Sequence, residues 1–180
     1  MIQYEKKNGG IVKIYTREGD NGDTVLFGGT KIQKDCTAVW AYGTIDETNS
    51  ILGLARAMQK NEKTKNIILN IQKKLLVIGA WLGSDQKGST LLKEKIEQKD
   101  IEDLERIIDD FSKEFEQAKD FVIPGETIQS SVLHMARTTA RKAERYTYAL
   151  SKDSQVSPLI LAYLNRLSDL LFVLANSDTE

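Results

Sequence analysis

Residues 130–148 read SSVLHMARTTARKAERYTY, a run without glycine or proline. Stepping ~100° per residue, Ser130, His134, Arg137, Arg141, Glu144 and Tyr148 share an arc of about 80°. The small residues Ala136, Ala140 and Ala143 fall on the other sides. The pattern predicts a slim helix over 126–150, starting after the break at Pro124-Gly125 and carrying one long polar edge. A solvent face laced with i,i+4 ion pairs would also be polar. This edge, however, mixes arginines with histidine and tyrosine, unlike an ordinary lysine–glutamate face.

Working outward, the apolar periodicity predicts four more helices. One covers about 38–59, with Ala41, Ile45, Leu52 and Ala55 on one side. The next covers about 64–83, striped by Ile67, Ile68, Ile71, Leu75, Ile78 and Leu82, and stops in the turn chemistry of GSDQKG at 83–88. A third is expected over about 91–118, on Leu92, Ile96, Ile101, Leu104, Ile108, Phe111 and Phe115, with a charged face that reads as solvated. The last begins at Ser157-Pro158, an N-cap followed by proline at the first helical position, and ends near Asn176. Only two prolines occur in the chain, whereas six of its 12 glycines fall within the first 30 residues. The expected fold is therefore all-α: an antiparallel five-helix bundle over 38–176, preceded by an irregular loop over 1–37, in one domain spanning 1–180.

Two polar residues sit awkwardly in that scheme. Asn165 lies on the arc of Leu161, Leu164, Ser168, Leu171, Phe172 and Ala175, where burial would oblige its amide to find partners. It is either a core amide satisfied by backbone or a ligand contact. Asp46 shares its arc with Gly43, Asn49, Ser50 and Gly53. Helix-interior glycines cost ~1 kcal/mol each relative to alanine, so the close approach of another group would compensate. An arginine from the 126–150 helix would suit Asp46; alternatively it is a surface acid near a helix start. In the opening loop, YTREGDNGDT at 15–24, Gly19 and Gly22 let backbone N–H groups converge near the Thr16 and Thr24 hydroxyls and the Arg17 cation, chemistry suited to phosphate. The same Asp-Gly turns could simply join strands. No Walker A or GxGxxG pattern is present, and Gly22 spoils a calcium loop.

Composition narrows the function. With 25 basic and 26 acidic residues and a net charge of −1, the chain lacks the basic excess of a nucleic-acid binder. One cysteine, Cys36, excludes a disulfide framework, and one histidine, His134, argues against a conventional zinc or non-haem iron site. The apolar run from Leu75 to Gly83 is far shorter than the ~20 residues of a membrane span, and MIQYEKKNGG has no signal or transit character. A soluble, single-domain, cytoplasmic protein is expected.

Several stretches together resemble the PduO-type ATP:cob(I)alamin (corrinoid) adenosyltransferases. They are YTREGDNGDT at 15–24 with Lys34 following, AYGTIDETNSILG at 41–53, FVIPG at 121–125, and LHMARTTARKAERY at 133–146 with YLNRLSDLLF at 163–172. The resemblance implies a ferritin-like five-helix bundle, assembled as a homotrimer with ATP bound between subunits. By motif position, Thr16, Arg17, Glu18, Gly19, Thr24, Val25 and Lys34 would enfold ATP. Arg141, Lys142, Ala143, Glu144, Arg145 and Asn165 would complete that site, with Arg141 against the triphosphate. Asp46 and Arg137 would form an ion pair at the interface beside it, and Phe121 would lie beneath the corrin. The chain departs from the family pattern at Asn21, Asp23, Ala38, Trp40, Thr48, Glu126 and Lys142.

The implied reaction joins the 5′-carbon of ATP to Co(I) of a reduced corrinoid, giving adenosylcobalamin and triphosphate. Mg²⁺ would enter with ATP, held through its phosphates. The absence of a Ser/His/Asp constellation fits, because Co(I) has no proton to lose and needs no general base. Implied partners are ATP, cob(I)alamin or cob(II)alamin, a flavin-dependent reductase and an adenosylcobalamin-dependent enzyme, with no nucleic acid and no membrane. The alternative is a non-catalytic cobalamin or nucleotide carrier of the same fold.

Overall fold

A computed structural model describes residues 15, 17, 19–113 and 122–177. Five helices of 15 to 23 residues make the body: α1 (Thr37–Met58), α2 (Glu62–Leu82), α4 (Gln98–Ser112), α5 (Ile128–Leu150) and α6 (Pro158–Ser177). A single turn, α3 (Gln86–Ser89), interrupts the connection between α2 and α4. The starts are fixed locally. The Asn61 side chain accepts the Lys63 and Thr64 N–H groups before α2, and the Thr127 hydroxyl accepts Ser130 N–H at 3.0 Å before α5. Before α6, Ser157 Oγ accepts Leu159 N–H at 3.3 Å, as its sequence foretold.

Packing runs in the order α2, α1, α5, α6, α4. Polar contacts close the circuit between α2 and α4, where Lys74 meets Asp100 at 2.8 Å. Ile45, Leu52, Ile68, Leu75, Leu133 and Leu167 are fully buried at the centre. Ala136, Ala140 and Ala143 are completely buried too, which lets α5 lie close to both α1 and α6. Two buried hydroxyls are silenced within their own helices: Thr48 donates to Thr44 O at 2.8 Å, and Thr147 to Ala143 O at 2.8 Å. Thr48 thus fills a core position without leaving a polar group unpaired. By length and composition α6 could cross a bilayer, with mean hydropathy 1.5, but 56% of that stretch is buried within the bundle.

Three expectations need correction. The helix foreseen over 91–118 starts later, because a capping box sets its beginning: Glu97 N–H donates to the Asp100 carboxylate at 2.9 Å while the Glu97 side chain accepts in return. Ile96 is still buried, in chain before the helix, and Phe115 lies outside the described residues. The GSDQKG turn runs into α3. The opening loop is also partly regular: β1 (Asp23–Val25) and β2 (Lys31–Gln33) pair antiparallel, with Thr24 opposite Ile32.

This ribbon is seated on the turn after α2. Phe27 N–H donates to Gly83 O at 2.9 Å, and Asp85 N–H donates to Phe27 O at 3.0 Å. The Asp85 carboxylate accepts Thr30 N–H, the Thr30 hydroxyl and Gly88 N–H. The approach leaves no room for side chains. A Cβ on Gly28 would lie 1.7 Å from Asp85 Oδ1, and one on Gly88 would lie 1.7 Å from Phe27 O. Gly28 also has φ +120°, which L side chains rarely adopt.

Candidate active site

The polar edge of α5 changes character along its length. Ser130 and His134 are each only 3% exposed, Arg137 and Glu144 are half-buried, and Arg141, Arg145 and Tyr148 face solvent. At the buried end, the Phe172 ring of α6 lies beside both Arg137 and His134. The Arg137 guanidinium is 6.0 Å from its centroid, and the His134 ring meets it edge-on at 6.3 Å. Neither His134 nitrogen has a hydrogen-bond partner, and Arg137 Nε is buried without one. Burial, reinforced by the Arg137 charge, lowers the His134 pKa, favouring neutral imidazole. Phe172 itself is 37% exposed on a helix whose other large apolar residues are mostly core, so it offers an aromatic surface at this edge.

Further along, α5 is tied to its neighbours. Lys142 Nζ meets Glu47 of α1 at 2.7 Å. Asn165 of α6 donates through Nδ2 to Glu144 Oε1 at 3.0 Å, and its Oδ1 accepts from Arg166 at 2.9 Å. Trp40 of α1 stacks on Tyr146 with centroids 5.7 Å apart.

The ribbon carries the second group of polar residues. Lys34 Nζ donates to Gly19 O at 2.5 Å, closing the segment before β1 onto the strand end. Asp23 binds both Lys31 and Gln33, so this acid is neutralised within the ribbon. Arg17 has φ +63°, a left-handed conformation uncommon for a non-glycine residue. Among the described residues, no hydrogen bond or ion pair joins the ribbon to α5 or α6.

A family model described as cobalamin adenosyltransferase matches residues 14–177. The chain belongs to this family. It is 45% identical over 165 residues to a corrinoid adenosyltransferase of Citrobacter freundii, covering 92% of this chain and 94% of that one. Its identity to a corrinoid adenosyltransferase of Bacillus subtilis is 39% over 170 residues, covering 91% and 85%. Among solved structures, it resembles a variant PduO-type ATP:corrinoid adenosyltransferase from Lactobacillus reuteri complexed with cobalamin and ATP. That match has a TM-score of 0.85 and 34% identity, and covers 93% of each chain.

In this family member, α5 and α6 gather Arg141, Lys142, Glu144, Arg145 and Asn165 near one edge, while Gly19, Thr24, Val25 and Lys34 stand on or beside the ribbon. Thr16, Glu18 and Phe121 lie outside the described residues. Two side chains differ from expectation. Asn165 is exposed, not buried, and is satisfied by side chains instead of backbone. Ala143 is completely buried, so its methyl packs in the core and cannot touch a nucleotide. Arg137 and Asp46 are not paired within a protomer: the arginine turns towards Phe172. Gly43, beside Asp46 on the outer face of α1, has nothing within 4 Å of where a Cβ would be, and Gly53 meets only Gln72 Nε2 at 3.4 Å. No close approach within the protomer therefore accounts for Gly43. Sequence reasoning missed the role of Asp85, although its position three residues before Gly88 is an N-capping signal, and it missed Glu105 and Arg166 behind Asn165.

Proposed function

We infer that this protein transfers the 5′-deoxyadenosyl group of ATP to the cobalt of a reduced corrinoid, at a site shared by neighbouring protomers of a homotrimer. The observation that carries this reading is the division of the polar groups within a family member. Phosphate-suited ribbon residues stand on one part of the chain and the cationic α5 edge on another, with no hydrogen bond or ion pair between them among the described residues. A second copy supplies the missing half. Exposed Asp46 and open Gly43 on α1 suit contact with α5 of that copy, where Arg137 is available to Asp46.

In the reaction, the Co(I) electron pair attacks C5′ and forms the cobalt–carbon bond. The C5′–O bond breaks, and its electron pair leaves on triphosphate; the metal ends as an alkyl-Co(III). No proton moves, which suits an edge whose histidine is buried and unpartnered. Arg17, Lys34 and Arg141, with Thr16, Thr24 and the loop amides, hold the triphosphate as its charge grows. Glu18, Val25, Lys142, Glu144, Arg145 and Asn165 surround the nucleoside. Removing one donor to such developing charge typically costs ~10²–10³ in rate. Among the described residues, no three Asp, Glu, His or Cys side chains cluster as a metal cage. Mg²⁺ enters carried on the phosphates and water.

Phe121 gives the corrin an apolar floor. An aromatic ring under cobalt cannot coordinate it, so the lower ligand is kept away and Co(II) accepts an electron more readily. A flavin-dependent reductase in the cytoplasm is the matching electron source, and an adenosylcobalamin-dependent enzyme the matching consumer. The whole chain, 1–180, acts as one domain.

The decisive experiment is anaerobic incubation of the protein with ATP, Mg²⁺ and chemically reduced cobalamin. The reading expects a photolabile adenosylcobalamin spectrum and one triphosphate per product. Binding of both ligands without product would leave a carrier, and binding of neither would reject the site.

A further inference from the structure

Asn165 sits between two groups of opposite hydrogen-bonding character. Arg166 Nη1 donates to Asn165 Oδ1 at 2.9 Å, while Asn165 Nδ2 donates to Glu144 Oε1 at 3.0 Å. A guanidinium can only donate, and a carboxylate can only accept. A carboxamide normally has two nearly isosteric orientations related by a half-turn. Here the turned form would set NH₂ against guanidinium and oxygen against carboxylate, losing both bonds. One orientation is therefore selected, leaving one Nδ2 hydrogen and one Oδ1 lone pair for a ligand.

The Arg166 contact is not a given of helix geometry. Adjacent residues on a helix point ~100° apart, so the arginine must fold back to reach Asn165. A second helix holds it there: Arg166 Nε donates to Glu105 Oε1 of α4 at 2.8 Å, and Asp169 lies 3.7 Å from Nη1. Because Nε is committed to Glu105, the guanidinium plane is set with Nη1 towards Asn165. The resulting line, Glu105–Arg166–Asn165–Glu144, crosses from α4 through α6 to α5. It links a helix that carries no proposed ligand contact to the nucleotide edge.

We propose that Arg166, held by Glu105, is a positioning residue that fixes the Asn165 amide in its nucleotide-binding orientation. This rests on the reading that Asn165 contacts ATP. The readout is the KM for ATP, set against kcat and the KM for cob(I)alamin, in a double-mutant cycle. Arg166→Met and Asn165→Ala should each raise the ATP KM by roughly tenfold, equivalent to about 1.4 kcal/mol, with little change in the corrinoid KM. The double variant should be no worse than Asn165→Ala alone, because an arginine that acts through the amide has nothing to position once the amide is gone. Arg166→Lys, which cannot serve Glu105 and Asn165 in the same fork, should not restore the wild-type KM.

Equal Arg166→Met effects in both backgrounds would assign the arginine a separate or merely structural role and overturn the proposal. An unchanged ATP KM for Arg166→Met in the wild-type background would do the same. An unchanged ATP KM for Asn165→Ala would reject the nucleotide-site reading, and the positioning role with it. Glu105→Ala, which removes the acceptor that holds Nε, runs through the same cycle if Arg166→Met does not fold: a raised ATP KM in the wild-type background but not beside Asn165→Ala supports the proposal, and equal effects in both backgrounds overturn it.

Discussion

The Asp85 carboxylate takes two bonds from Thr30, the backbone N–H at 2.9 Å and the hydroxyl at 2.6 Å, across 55 residues of chain. With Gly88 N–H as a third donor, these bonds hold Asp85 below the usual carboxylate range. The ribbon that carries Thr24, Val25 and Lys34 is thereby attached at its turn to the end of α2.

Replacing Asp85 should release that turn without unravelling the helices. Asp85→Ala is expected to raise the ATP KM roughly tenfold, the scale of one lost interaction of about 1.4 kcal/mol at the nucleotide, while far-UV circular dichroism stays near wild type. Limited proteolysis between residues 19 and 34 should accelerate. Unaltered nucleotide kinetics would separate the anchor from the site.

His134 predicts a pH dependence of stability. Its folded pKa lies below the ordinary 6.5 because of burial and Arg137. As pH falls below about 6.5, the unfolded chain takes up a proton that the folded chain resists, so stability is lost on acidification. The slope from this one group is at most about 1.4 kcal/mol per pH unit. Thermal midpoints of wild type and His134→Leu, compared from pH 7.5 to 5, should diverge in shape, the variant being flatter. Parallel curves would show that His134 titrates alike in both states.

Arg141 and Phe121 should fail differently. Arg141→Ala is expected to lose ~10²–10³ in turnover even with chemically supplied Co(I), because a donor to the leaving triphosphate is gone. Phe121→Ala should keep ATP binding and lose most turnover starting from Co(II). Stopped assays with Co(I) and Co(II) in parallel read the difference; identical losses in both would merge the two roles.

Light scattering should give about three times the 20.3 kDa chain mass. Asp46→Arg places a cation where the reading sets another, and should shift the population towards monomer with loss of activity. Combining it with Arg137→Asp should restore some of both. A monomeric wild type that is fully active would sink the shared site.

How much of this was legible depended on the physical scale of each feature. Helical periodicity located the stripes of α1, α2, α5 and α6, because burial of one face repeats along every turn. It overran α4, since the apolar spacing of Leu92 and Ile96 continues into chain that the Glu97–Asp100 capping box keeps out of the helix. The α5 edge could be drawn from residue spacing, yet not its gradient from buried His134 to exposed Arg141, which depends on how neighbouring helices pack over it. Asn165 was misjudged for the same reason: an arc shared with leucines does not reveal a rim position beside Glu144. The ribbon's seat was invisible because it joins Thr30 to Asp85 through space, and neither residue advertises the other.

The fit of Phe27 O against Gly88, and of Asp85 against Gly28, also restricts how this chain can drift over generations. Either glycine gaining a methyl would collide with the other segment, and losing the acid alone would strip the acceptor that draws the segments together. Changes there must arrive as compensated sets, so these distant positions should behave as one epistatic unit in a deep mutational scan.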